Sequence, residues 1–249
     1  KKTDKGCFAK IEITDALNSL EYNNEDFYLK GLHYTQPEPK WGGEIDTAAK
    51  LRGYCAFALA RTNYTDIHFE LAKLLMDHES TARVYAAKAL DYIGGESSEL
   101  LLRMRILCPD NNIDNYGEYF SALISIEPQR SLAFVSKYLD NWSDPLFEEA
   151  AFAIGSSRLS EAFEILKKCL TRPLLTPQRK IIIVALTLLR TDQSIEYLIS
   201  LIEQADSMTF SILTETLDVY SEQKEIMDKI NAAVDRRKKL RKRKGNDKK

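Results

Sequence analysis

A repeat governs what this chain can fold into. Residues 46–60 read DTAAKLRGYCAFALA, and residues 77–90 read DHESTARVYAAKAL. A shift of 31 positions lays Asp46 on Asp77, Arg52 on Arg83, Tyr54 on Tyr85, Cys55-Ala56 on Ala86-Ala87 and Ala58-Leu59 on Ala89-Leu90. A unit of about 30 residues cannot bury its apolar face alone and does so by stacking on its neighbours. Leu51, Cys55, Ala58 and Leu59 stand at i, i+4, i+7 and i+8, which is one face of a helix. Ala82, Ala86, Ala89 and Leu90 repeat that face. Small residues at 55–56 and 86–87 admit a neighbouring helix closely. The Asp, one turn ahead of the helix, can accept backbone N–H bonds at the positive end of the helix dipole.

The Asp-x5-Arg spacing and its Ala-Ala-x-Ala-Leu continuation resemble HEAT repeats, in particular the short HEAT-like class named after phycobilisome lyases. The resemblance is close over Asp46–Gly94 and looser beyond it. It implies an all-α fold, an α-solenoid in which antiparallel helix pairs stack into a right-handed, armadillo-like superhelix. It also implies that Asp46, Arg52, Asp77 and Arg83 form a structural ladder between repeats, with the ladder helices lining a concave side. Arg179, 96 positions after Arg83, returns to the ladder position.

The rest of the chain has helical spacing and frequent punctuation. Two short helices are expected before residue 33. Asp66 opens a partner helix, Gly94-Gly95 stops the second ladder helix, and Asp110, Pro145 and Thr176-Pro177 mark later starts. About thirteen helices in six pairs result. HYTQPEPKWGGE, residues 33–44, is the exception, and its two prolines and Gly-Gly read as a loop. Trp41 in it either caps the end of the core or serves as a contact residue. The expected organisation is 1–45 as amino-terminal helices, cap and Trp loop, 46–235 as the solenoid, and 236–249 as a basic disordered tail.

Charge divides along the chain. Residues 236–249 hold ten Lys and Arg against one Asp, leaving 25 basic and 36 acidic residues in 1–235. Arg236, Arg237, Lys238, Lys239, Arg241, Lys242, Arg243 and Lys244 are therefore candidate polyanion-binding residues. With Leu240 as its one apolar position and like charges at i, i+4, this stretch is expected to fray after about residue 240. A weak contact with RNA or another polyanion competes with folding back on the acidic body, contact with an anionic membrane, and solubility alone. The longest apolar run, Ile181–Leu189, is far short of the roughly 20 residues a membrane helix needs, so no span is expected. The first ten residues carry no apolar segment of a secretory signal, although the chain does not begin with Met. Four scattered cysteines fit a reducing, cytoplasmic setting without disulfides.

Catalytic patterns are sparse. Deoxyhypusine hydroxylase, a HEAT-like enzyme, binds two irons through several His-Glu pairs that follow the ladder Arg. Here the single pair His78-Glu79 precedes Arg83, so no metal or other cofactor is expected. No Gly-x-Ser-x-Gly, Walker loop or Cys-His pair appears. HEAT-like DNA glycosylases use a basic groove and a few Trp residues. This body is acidic, with only Trp41 and Trp142 available. The candidate protein-binding surface is the exposed row of the ladder helices: Tyr54 and Tyr85 at one equivalent position, Tyr92 further along, Glu118 and Glu149 near that position in later repeats; Trp41 of the 33–44 loop is a further candidate contact. Such a row suits a basic peptide or protein, unless the tyrosines only shield the core. The leading expectation is a non-catalytic scaffold, not an enzyme, that binds a protein partner on its concave face. The alternatives are a nucleic-acid binder using the tail, or a HEAT-like lyase or hydroxylase, for which a bound tetrapyrrole or iron would be the sign.

Overall fold

The computed structural model describes residues 4–108, 113 and 115–246. Internal contacts divide the chain into two compact units, residues 1–128 and 129–249. The fold is all-α, with fourteen α-helices and one two-stranded hairpin among the described residues. No helix among them is long and apolar enough to cross a membrane.

In the first unit, α1 (Phe8–Ser19) and α2 (Glu25–Leu32) both pack on α3 (Ala49–Arg61). Asn24 caps α2 by accepting the Phe27 N–H at 2.9 Å. α3 packs on α5 (Ser80–Ile93), and α5 on α7 (Asn115–Ile126). Behind this row lie α4 (Ile67–Leu74) and α6 (Gly95–Leu107). The repeat explains the closeness of the row. Cys55, Ala56 and Ala58 of α3 and Ala82, Ala86, Ala87 and Ala89 of α5 are all fully buried. Gly53 lets the root of the Tyr85 ring lie on the α3 backbone, since a Cβ there would stand 2.4 Å from Tyr85 Cγ. Asp110, expected at the next ladder position, lies outside the described residues.

Within the stretch 33–44 read as loop, and running on to Asp46 where the first ladder helix is expected to start, the chain instead forms an antiparallel hairpin of β1 (Pro37–Lys40) and β2 (Gly43–Asp46), with Pro37 opposite Asp46 and Lys40 opposite Gly43. Pro37 and Pro39 are tolerated because each strand of a two-stranded ribbon has a free edge, where a missing N–H costs no ladder bond. Gly42 turns the chain at φ 88°, a value that glycine adopts without steric penalty.

The second unit continues the scheme from the second residue of α8 (Pro128–Val135). α9 (Phe147–Ser156), α11 (Thr176–Leu188) and α13 (Ser207–Leu217) form its close row. α10 (Ser160–Leu170) and α12 (Asp192–Ile202) alternate with them, and α14 (Lys224–Asn246) packs on α12. Asp206 caps α13, accepting the Thr209 N–H at 2.7 Å and its hydroxyl at 3.0 Å. Those bonds, the backbone one foremost, hold the Asp206 carboxyl below the usual carboxylate range. Asp206→Ala is expected to cost the second unit about 1 kcal/mol. Because the folded-state pKa is depressed, that contribution is present at neutral pH and disappears as pH falls through it. Urea unfolding of the two proteins at pH 7 and pH 3 should show the difference shrink.

The expectation of an unstructured segment from residue 236 is corrected here: α14 runs unbroken to Asn246. Three physical terms outweigh the like-charge repulsion. Lys and Arg are good helix formers. Cations at a helix C-terminus are favoured by its dipole. Arg237 also docks on the body, only 4% exposed. Its guanidinium donates to the carbonyls of Ile202 (3.2 Å), Ala205 and Asp206 (3.2 Å) and lies 4.5 Å from the Phe210 ring centre.

Candidate interaction face and the ladder beneath it

Arg52 is buried at the start of the α3–α5 seam. Its Nε and Nη2 donate to the two Asp77 oxygens at 2.8 and 2.9 Å, and its Nη1 to Asp46 Oδ2 and the Tyr34 carbonyl. One guanidinium thus joins the Asp of its own repeat to the Asp of the next with the planar fork geometry that Lys lacks. Asp46 also accepts N–H bonds from Gln36 (2.7 Å) and Ala48 (3.0 Å), which ties the hairpin base to α3. Burial opposes the charged form of Asp46, but those N–H bonds and Arg52 together hold its carboxyl below the usual range. Arg83 donates to the carbonyls of Asp77 and His78 at 2.8 and 3.0 Å, stiffening the turn before α5. In the second unit Arg179 is half-buried and makes no side-chain hydrogen bond among the described residues. Its charge reaches Asp206 only weakly.

A cavity of about 370 Å³ opens over this ladder. Its charged lining is internally matched. Glu70 accepts from His33 at 2.7 Å and Lys73 at 2.8 Å, and Glu79 accepts the Asp46 N–H at 3.3 Å. His78-Glu79 falls in this turn, and no cluster of three or more His, Cys, Asp or Glu among the described residues is placed to hold a metal ion. Cys55 is fully buried and its thiol is pushed up to about 12 by desolvation, so it is not an activated nucleophile.

The structure brings Tyr54, Tyr85 and Tyr92 together and adds Phe57. Ring centres are 5.5 Å apart for Tyr54–Tyr85, 6.4 Å for Phe57–Tyr85 and 6.3 Å for Phe57–Tyr92. Tyr54, Phe57 and Tyr85 are half-buried and Tyr92 is exposed. Lys50 lies over the Tyr54 ring at 5.4 Å and Lys88 over the Tyr85 ring at 6.0 Å. Lys88 also pairs with Glu118 at 3.4 Å. The residues that the repeat alignment passed over were readable from helical spacing: Phe57 three positions after Tyr54, Lys50 four before it, Lys88 three after Tyr85.

Two expected members remain. Glu149 belongs to α9 of the second unit. Trp41 sits at the hairpin tip, wholly exposed, so it does not cap the core. On the other helix row, Leu100, Met104 and Leu107 form an exposed apolar stripe along α6 that sequence reading missed. Arg236 pairs with Glu203 and Lys238 with Asp235, while Lys239 and Arg241 are exposed. The side chains of Lys242, Arg243 and Lys244 lie outside the described residues.

No protein-family model matches the chain, and no curated protein matches it. Solved structures do, among them the complex of CpcE and CpcF of phycocyanin lyase from Nostoc sp. PCC7120, at 15% identity and a TM-score of 0.46, covering 93% of this chain and 91% of that one. The resemblance to HEAT-like proteins of the phycobilisome-lyase class is a likeness of helical architecture. The expectation that the chain is not an enzyme is withdrawn, because the complex it resembles is named for a lyase. At this identity the likeness itself assigns no activity.

Proposed function

We propose that the first unit is a binding module that takes a protein segment along the exposed side of α3, α5 and α7, with Tyr54, Phe57, Tyr85 and Tyr92 as the platform. The observation that carries this reading is the continuous run of four rings, part exposed, held on helices that the buried Arg52 ladder fixes in register. Aromatic side chains give large contact area at low entropy cost, the property that makes them anchors in interfaces. Their neighbours set the partner's charge. Two ring faces are already occupied by Lys50 and Lys88, so an arriving cation meets like charge. An apolar segment with acidic flanks fits better than the basic peptide that the sequence pattern favoured. The setting that goes with this reading is the cytoplasm, where Cys108, exposed and unpaired, stays reduced.

The test is affinity capture from the source cells with the whole chain and with a Tyr54→Ala/Tyr85→Ala variant. Loss of one reproducible partner, with the helical fold retained by circular dichroism, is expected, while Trp41→Ala retains it. Capture insensitive to the tyrosines but lost in Leu100→Ser/Met104→Ser would move the site to the α6 stripe. The lyase alternative predicts something else, a tetrapyrrole absorbance that co-purifies with the chain.

A further inference from the structure

The basic end of α14 has no role in that reading, and it lies in the other unit. Up to Asp235 the helix carries charges of both signs. After it, every charged residue through Lys244 is cationic. Sequence alone makes this a flexible polycation. The structure makes it a helix clamped at one residue: Arg237 is buried against the carbonyls that end α12 and against Phe210, while Arg236, Lys238, Lys239 and Arg241 remain on the surface. Glu203 and Asp235 engage Arg236 and Lys238, but no acid among the described residues pairs with Lys239 or Arg241.

We infer that this end of α14 binds double-stranded DNA through its phosphates, without reading bases. A rigid cationic helix is the shape that the major groove of B-DNA admits, whereas the deep, narrow major groove of duplex RNA excludes side chains. Single strands are held by stacking on aromatic side chains, and residues 221–249 contain no Phe, Trp or Tyr. A membrane-surface helix needs an apolar face to bury. Beyond Asp235 the only apolar residue is Leu240. Lys239 and Arg241, exposed and without an acidic partner among the described residues, are free to neutralise phosphates, and the clamp removes part of the ordering cost that a disordered tail would meet on binding.

Fluorescence anisotropy of the full chain with a 20-base-pair DNA duplex, with poly(U) RNA and with anionic phospholipid vesicles tests this. The expected result is DNA binding that weakens steeply with salt, log K falling with log salt at a slope near −0.9 for each phosphate contacted. Lys238→Glu/Lys239→Glu/Arg241→Glu, far from the core, should bind DNA at least about tenfold more weakly and with a shallower slope. Arg237→Ala frees the helix but removes no surface cation. Binding should drop several-fold with the slope unchanged. Tighter binding to poly(U) or to vesicles than to DNA would overturn the inference. So would equal DNA affinity of the triple variant and the unaltered chain. Neither result bears on capture by the tyrosine face, which is read with separate variants.

Discussion

Arg52→Ala is expected to destabilise the first unit by about 3–5 kcal/mol, the range for removing one member of a buried ion pair. The substitution leaves Asp46 and Asp77 facing each other without a cation and strands the Tyr34 carbonyl. Arg52→Lys should recover only part of the loss, since an ammonium cannot bond both carboxylates and the carbonyl in the guanidinium plane. Acid should act in the same direction. The Asp46 carboxyl is held below its ordinary value, so its contribution is complete above the unfolded-state pKa and is lost as pH falls through the folded one. Hydrogen exchange of α3 and α5 amides, with α11 as internal reference, separates this unit from the other. Unchanged protection in Arg52→Ala would remove the ladder from the list of what holds the repeats. If protection stayed intact while partner capture vanished, Arg52 would belong to a binding site instead.

The ladder was legible because its two halves are copies. Asp46 and Asp77 recur with Arg52 and Arg83 at fixed offset, and a fixed offset in sequence becomes a fixed offset in space once repeats stack. That logic weakens where copies diverge: Tyr116 replaces the ladder Arg, and its hydroxyl donates to the Cys108 carbonyl at 3.0 Å. At Arg179 the position is kept and the pair is not. The hairpin was illegible for a different reason. Pro37, Pro39 and Gly42-Gly43 are loop residues by local chemistry, and what fixes the strands is tertiary: Gln36 N–H on Asp46, the Gln36 carbonyl accepting from Thr47, and Gly6 N–H on Glu38. The α14 extension failed on the same ground. Its anchor is one Arg whose acceptors, Ile202, Ala205 and Asp206, lie more than 30 residues upstream. The aromatic face lay between these cases. Tyr54 and Tyr85 came from the repeat, while Phe57 and the two lysines needed only the helical period.

Gly155→Val is expected to cost the second unit about 3 kcal/mol, and Gly155→Ala about 2 kcal/mol. A Cβ at Gly155 would stand 2.4 Å from the Ala185 carbonyl oxygen and 2.9 Å from that residue's Cα. The obstacle is the backbone of α11, which cannot turn aside as a side chain can, so α9 and α11 must separate along the seam. Replacing glycine with alanine in a helix returns about 1 kcal/mol of propensity, which is less than the cost of opening the seam and sets the sign. Gly53 is the companion case in the first unit. Its Cβ would stand 2.4 Å from Tyr85 Cγ and 2.5 Å from Tyr85 Cβ, the root of the side chain, which the α5 backbone fixes in place. Gly53→Ala should therefore also cost about 2 kcal/mol by parting α3 from α5, and it should displace the Tyr85 ring and weaken partner capture as well. Urea unfolding followed by circular dichroism gives both costs. A cost near zero for Gly155→Ala would show that the α9–α11 seam yields to one methyl group, against the close-packed geometry of that pair.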